Sequence, residues 1–229
     1  MWQRLASELP EFLGYYNLVF LGKAALATVT LSAAGSATGI IVGFGLAVLR
    51  QTRTWLLAPL RWLTVVFIEF FRRVPFLVTL MLVFLAVQHS GIDAPVFVVA
   101  LITVFLIATA YLAEIVRAGF ESVHRNQWDA AAAMNFSLTA TIRYVILPQA
   151  WRVILPPAFG FFILFIKDTA LASQIGVIEL TYAGKVLNNK GFSAALVFGT
   201  LLLIYFLISY PLTRLGAFLE ARLAASRNR

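Results

Sequence analysis

Cysteine is absent from all 229 residues, which removes disulfides, thiolate metal sites and a cysteine nucleophile from consideration. Charge is scarce too. Asp, Glu, Lys and Arg make up 12% of the chain, where soluble domains carry about a quarter. The only histidines, His89 and His124, flank an apolar stretch, so neither a two-histidine metal site nor a shared catalytic triad is expected. There is no glycine-rich P-loop signature ending in Gly-Lys-Ser or Gly-Lys-Thr, so no nucleotide is expected to bind in that manner. The N-terminal stretch has no basic region followed by a short apolar run and a small-residue cleavage site, and no cleavable signal peptide is expected.

What is abundant is apolar surface. Hydrophobic residues make up 61% and mean hydropathy is +0.89, which points to lipid as the solvent. A spanning helix needs about 20 mostly apolar residues, so the chain fits a single membrane domain of four to six spans. The net charge of +8 is spread between apolar segments, without the basic, aromatic-interleaved stripe of a nucleic-acid binder. No nucleic-acid partner is expected.

The fold expected is therefore an all-α integral membrane protein of about five transmembrane helices. Apolar runs place the spans near residues 24–49, 62–88, 94–116, 157–177 and 193–213. The second is broken near Pro75, since proline interrupts helical hydrogen bonding. In the first, Gly35, Gly39 and Gly43 recur on one helical face and let another helix approach closely, either within the bundle or at a subunit interface. Thirteen arginines fall on one side of this arrangement, whereas Arg4, Lys23, Lys185 and Lys190 fall on the other and Lys167 lies within a span. Because positive charge near span ends stays cytoplasmic, the N-terminus is expected outside and the C-terminus inside.

The longest inner loop then holds NQWDAAAAMNFSLTATIRYVILP, residues 126–148, within a cytoplasmic segment of about 124–148. It reads as two short helices joined by a turn. Asn126 is expected to cap the first helix, with Asp129 returning a bond to the cap. Four alanines follow with maximal helix propensity. Asn135 suits the left-handed position that ends a helix, Ser137 caps the next, and Pro148 interrupts it or begins the next element. The alanine run beside Met134 and Phe136 exposes a low, small apolar surface, which suits a groove on another protein. A solvated hairpin on the membrane surface is the plain alternative.

At these residues the chain resembles the permease subunits of ABC importers. Their cytoplasmic motif reads Glu-Ala-Ala, three residues, Gly, nine residues, an aliphatic residue, one residue, Leu-Pro. Asp129, Ala130 and Ala131 stand at the first three places, Asn135 at the glycine, Val145 at the aliphatic position, and Leu147 and Pro148 at the end. Asp129 replaces glutamate and Asn135 replaces glycine. The segments IEFFRRVPFLV (68–78), AYLAEIVRAGFESV (110–123), LPQAWRVILPP (147–157) and KDTALASQIGVIEL (167–180) look like the polar amino-acid branch, in its order. The resemblance implies a bacterial inner-membrane permease that performs no chemistry itself. It implies ATPase subunits holding ATP and Mg beneath, a second permease subunit that is a copy or a paralogue, and an amino-acid-binding protein outside. The coupling residues it implies are Asp129, Ala130, Ala131, Met134, Asn135, Phe136, Leu147 and Pro148. Two other classes stay open: a secondary transporter, which would usually show internal repeats where no convincing one is visible, and a membrane-embedded enzyme, which would need a converging set of nucleophile, base or metal ligands that does not appear.

Lys167 and Asp168 lie about ten residues beyond Pro157, roughly 15 Å along a helix and so near the middle of an approximately 30 Å apolar core. With Thr169 and Gly160 they form a candidate substrate pathway, because an intramembrane charge costs at least about 2.5 kcal/mol unless partnered. The competing expectation ties Lys167 and Asp168 to Glu69, Arg72 and Arg73 at the second-span break. Glu114 and Arg117, three residues apart, are expected to pair at a helix end, and Glu179 is expected on a solvated face.

Overall fold

The computed structural model describes residues 2–225. They form ten α-helices with short 3-10 and π segments between some of them: α1 Trp2–Phe12, α2 Tyr15–Gln51, α3 Ala58–Arg73, α4 Phe76–His89, α5 Val96–Glu121, α6 Arg125–Ala133, α7 Leu138–Thr141, α8 Leu147–Asp168, α9 Leu180–Asn189 and α10 Ala194–Ala225. Four helical stretches are each long and apolar enough to cross a membrane, namely Tyr15–Gln51, Val96–Glu121, Leu138–Ile175 and Ala194–Arg222. A fifth is made if Trp55–Arg73 and Phe76–His89, bent by 115° at their break, count as one. The break has a local cause. Proline disfavours helical geometry in the residue before it, and Val74, ahead of Pro75, is extended at φ −87°, ψ 133°.

Helices overrun the apolar stretches that announced them. The first begins at Tyr15, well before residue 24, since no proline or helix-ending glycine intervenes between Gly14 and Thr52. The fourth begins at Leu147 and carries Pro156 and Pro157 inside it, where position 157 was expected to open a span. It leaves α geometry after Asp168 and runs as a 3-10 helix over Thr169–Ile175 to Gly176, which takes φ 89°.

The chain divides into two compact units. The first comprises the chain up to Ala34 with Phe76–Val104 and Ile163–Leu212. Its core joins Phe12, Leu21 and Ala24 to Leu180, Ala183 and Leu187 of α9 and Val197 and Leu201 of α10. Phe12 sets its ring edge against Phe192 at 5.2 Å, and the Glu8 carboxylate accepts from the Ser193 N–H at 2.7 Å. Thr28 in α2 accepts from the Leu180 N–H at 3.0 Å, and the Ser32 and Thr169 hydroxyls lie 3.4 Å apart.

The second unit comprises Gly35–Pro75, Phe105–Phe162 and the chain from Thr213. Here the glycine repeat of α2 is used. A Cβ at Gly39 would lie 2.7 Å from the Ala108 Cβ, and one at Gly43 would lie 2.8 Å from the Ala113 N, so the two helices meet backbone to backbone. That face is consumed by packing against α5. Ala47, Val116, Phe120, Ile142, Ile146 and Ile154 build the core beneath.

Candidate functional site

The helical hairpin begins two residues earlier than its polar pattern suggests. His124, not Asn126, is the N-cap of α6, and its Nδ1 accepts from the Asn126 N–H at 3.3 Å. Asp129 returns no bond to the cap. It lies 3.9 Å from the Arg125 Nε, one turn back, with both side chains in solvent. The helix ends as its composition predicts. Asn135 takes φ 57°, the Phe136 N–H reaches the Ala131 carbonyl at 3.0 Å, and the Asn135 N–H reaches the Ala132 carbonyl at 3.0 Å. This paired closure needs a left-handed residue, for which asparagine is second to glycine. Ser137 then caps α7 by accepting from the Ala140 N–H at 3.2 Å.

The alanines divide by face. Ala131 is fully buried, whereas Ala130, Ala132 and Ala133 are exposed, as are Met134 and Phe136. The outward surface of the hairpin therefore has low relief and ends in two large apolar side chains. Beside it, Trp128, Ala132, Phe136 and Leu138 share a cleft of about 820 Å³ with the Gln51–Thr54 link, Glu121, Arg125, Asp129 and Thr141.

Between α7 and α8 one turn is widened. Ile142–Ile146 is a π-helix, closed by a bond from the Leu147 N–H to the Ile142 carbonyl. Pro148 explains it, because a proline ring clashes with the carbonyl four residues back and supplies no N–H to it. Gln149, which the sequence reading passed over, donates from Nε2 to the Val145 carbonyl at 2.8 Å and to the Gln127 Oε1 at 3.3 Å. A glutamine one residue past a helix-disrupting proline was the available signal.

Glu114 sits at the centre of an ionic cluster larger than the expected pair. Arg117 donates Nε at 3.0 Å and Nη2 at 2.5 Å, Arg50 donates Nη1 at 3.0 Å, and the Arg72 Nη1 lies 3.7 Å away. Arg73 pairs with Glu69 at 2.7 Å, and the Arg72 Nη1 is 3.9 Å from the same carboxylate. Arg117 also pairs with Glu121. Arg72 and Arg73 therefore take their anions from Glu69 and Glu114.

The four pathway candidates share one stretch of chain but differ in setting. Lys167 and Gly160 are exposed and Asp168 is half-buried. Thr169 is fully buried, and its hydroxyl donates to the Ile166 carbonyl at 3.0 Å. It packs the interior of its unit.

Glu179 overturns its expected place on a solvated face. It is fully buried and caps α9, accepting from the Thr181 N–H at 2.9 Å, the Tyr182 N–H at 2.8 Å and the Tyr205 hydroxyl at 3.1 Å. Burial pushes its carboxyl above the ordinary value, against the opposing pull of those donors. Its burial depends on α10, far along the chain, which a local pattern cannot reveal.

Comparison with known proteins places these features in a family. Residues 23–225 match the model described as binding-protein-dependent transport system inner membrane component. The chain is 34% identical over 181 residues to the probable amino-acid ABC transporter permease protein YckA of Bacillus subtilis, covering 79% of each. It is 33% identical over 198 residues to the glutamine transport system permease protein GlnP of Escherichia coli, covering 86% of this chain and 89% of that one. Among solved structures it matches a crystal structure of an amino acid ABC transporter with histidines at TM-score 0.81 and 26% identity, over 92% of this chain and 99% of that one.

Proposed function

Because the chain belongs to the family of inner membrane components of binding-protein-dependent transport systems, we propose that it is the transmembrane subunit of an ATP-driven importer of amino acids, polar or charged ones in particular. The cargo class rests on relatives named for amino-acid and glutamine transport and aligned over most of their length. The subunit performs no chemistry. ATP and Mg belong to separate ATPase subunits. A second permease, a copy or a paralogue, completes the pathway, and a binding protein delivers cargo on the outer side of a bacterial inner membrane. The N-terminus lies outside and the C-terminus in the cytoplasm.

The observation that carries the coupling role is the outward face of α6. Ala130 and Ala133 leave the helix backbone accessible, and Met134 and Phe136 stand exposed at its end. Such a surface left to water is costly, and a groove on an ATPase would cover it. Lys167 and Asp168 supply a cation and an anion for a zwitterionic cargo on its way through.

The test is reconstitution with the ATPase, second permease and binding protein. Phe136→Asp should leave the chain in the membrane but strip it of its ATPase and of ATP-driven uptake. Full co-purification and full uptake by that variant would sink the docking role. Ala131 is a poor site for this experiment, since its burial means that a bulky replacement would unfold the hairpin. Uptake by the chain alone in ATP-free vesicles would overturn the importer reading in favour of a secondary transporter.

A further inference from the structure

The docking helix and the span that follows it meet across a turn that is out of register. Ile142–Ile146 closes its hydrogen bond one residue further along than an α-helix does, at a place set by Pro148. Apolar contacts do not fix how α6 sits on that turn. Trp128 of α6 packs on the cluster that contains Ile142 and Ile146, and apolar burial is non-directional. A directional contact is needed to tie the turn to α6.

Gln149 supplies it. Its amide nitrogen faces two acceptors, the Val145 carbonyl inside the widened turn at 2.8 Å and the Gln127 Oε1 of α6 at 3.3 Å. One side chain therefore joins the turn, the base of α8 and the docking helix. We propose that Gln149 is a positioning residue for coupling: it locks α6 to the π-turn so that a displacement of α6 passes into α8 instead of being lost as slip. The proposal rests on the docking reading above, and it adds the element that connects the docked helix to the span.

The experiment uses the complete transporter in proteoliposomes and reads the amount of cargo imported per ATP hydrolysed. Gln149→Leu, which removes both hydrogen bonds, should retain its ATPase on purification and lower that ratio by about threefold or more. Gln127→Leu removes only the bond to α6 and should lower the ratio no further than Gln149→Leu does, and the double variant should be no worse than Gln149→Leu, since the two share that contact. Gln127→Glu keeps the acceptor and should hold the parental ratio. A parental ratio in Gln149→Leu, losses that multiply in the double variant, or loss of the ATPase from Gln149→Leu would each overturn the proposal. If Phe136→Asp keeps its ATPase while Gln149→Leu still lowers the ratio, the docking reading fails and the clasp stands.

Discussion

Glu114 in one unit and Glu179 in the other are both withdrawn from solvent, and their partners differ in kind. Glu114 is ringed by the guanidinium groups of Arg50, Arg72 and Arg117, drawn from α2, α3 and α5. Glu179 meets no guanidinium among its bonded partners; two backbone N–H groups and a tyrosine hydroxyl hold it. The first site needs the negative charge, since without it three cations lose their common anion. The second needs only oxygen acceptors in the right place. Replacement by glutamine removes the charge at both, while at Glu179 it keeps one of the two accepting oxygens and turns an NH2 toward the other donor, so the smaller loss is expected there.

Glu114→Gln should therefore have the largest effect, a loss of about 3 kcal/mol, because removing one partner strands the others. Thermal unfolding of the purified subunit in detergent checks it, with Glu179→Gln measured beside it. Equal losses would break the comparison. A second contrast lies along α2. Gly43→Ala would drive a Cβ to 2.8 Å from the Ala113 N and should cost about 2 kcal/mol by overpacking. Gly22→Ala meets nothing within 4 Å and should gain up to about 1 kcal/mol from helix propensity. The same unfolding assay would read opposite signs.

Asn135→Ala comes next, at about 1 kcal/mol, since alanine resists the left-handed geometry at φ 57°. Asn135→Gly should not. Hydrogen exchange in α6 reports the difference. The smallest effect is a pH dependence at Glu179. Its carboxyl is raised above 4.5 by burial, so the folded state holds the proton more tightly than the unfolded state. That contribution is present at and below pH 4.5 and fades as pH rises through the folded value. Glu179→Gln should gain melting temperature relative to the parent over that rise, and a difference independent of pH would contradict the assignment.

These cases also mark how far the residues could be read in advance. Asn135 and Ser137 were legible because a helix end is decided within a few residues, and Gly39 and Gly43 because a repeat of small residues has little use except close approach. Glu69, Arg72, Arg73, Glu114 and Arg117 were legible as ionic residues, but Arg50 was not, since it joins Glu114 from 64 positions away. Glu179 was misplaced for the same reason, its acceptors being filled partly by Tyr205 of α10. Ala131 looked equivalent to its three neighbours, and only the packing of α6 on its unit distinguishes them. The π-turn follows from Pro148 in hindsight, although a kink or a clean break would have answered the same proline.

The 3-10 segment Thr169–Ile175 is the last point. Such helices rise about 2.0 Å per residue against about 1.5 Å for an α-helix. Over its 7 residues the chain is therefore longer by about 3.5 Å than the same residues would be if wound fully. Directly after Lys167 and Asp168, the backbone carries a reserve of length: one helical rewinding would reel Gly176 toward the membrane-spanning part of α8 without moving that helix at all.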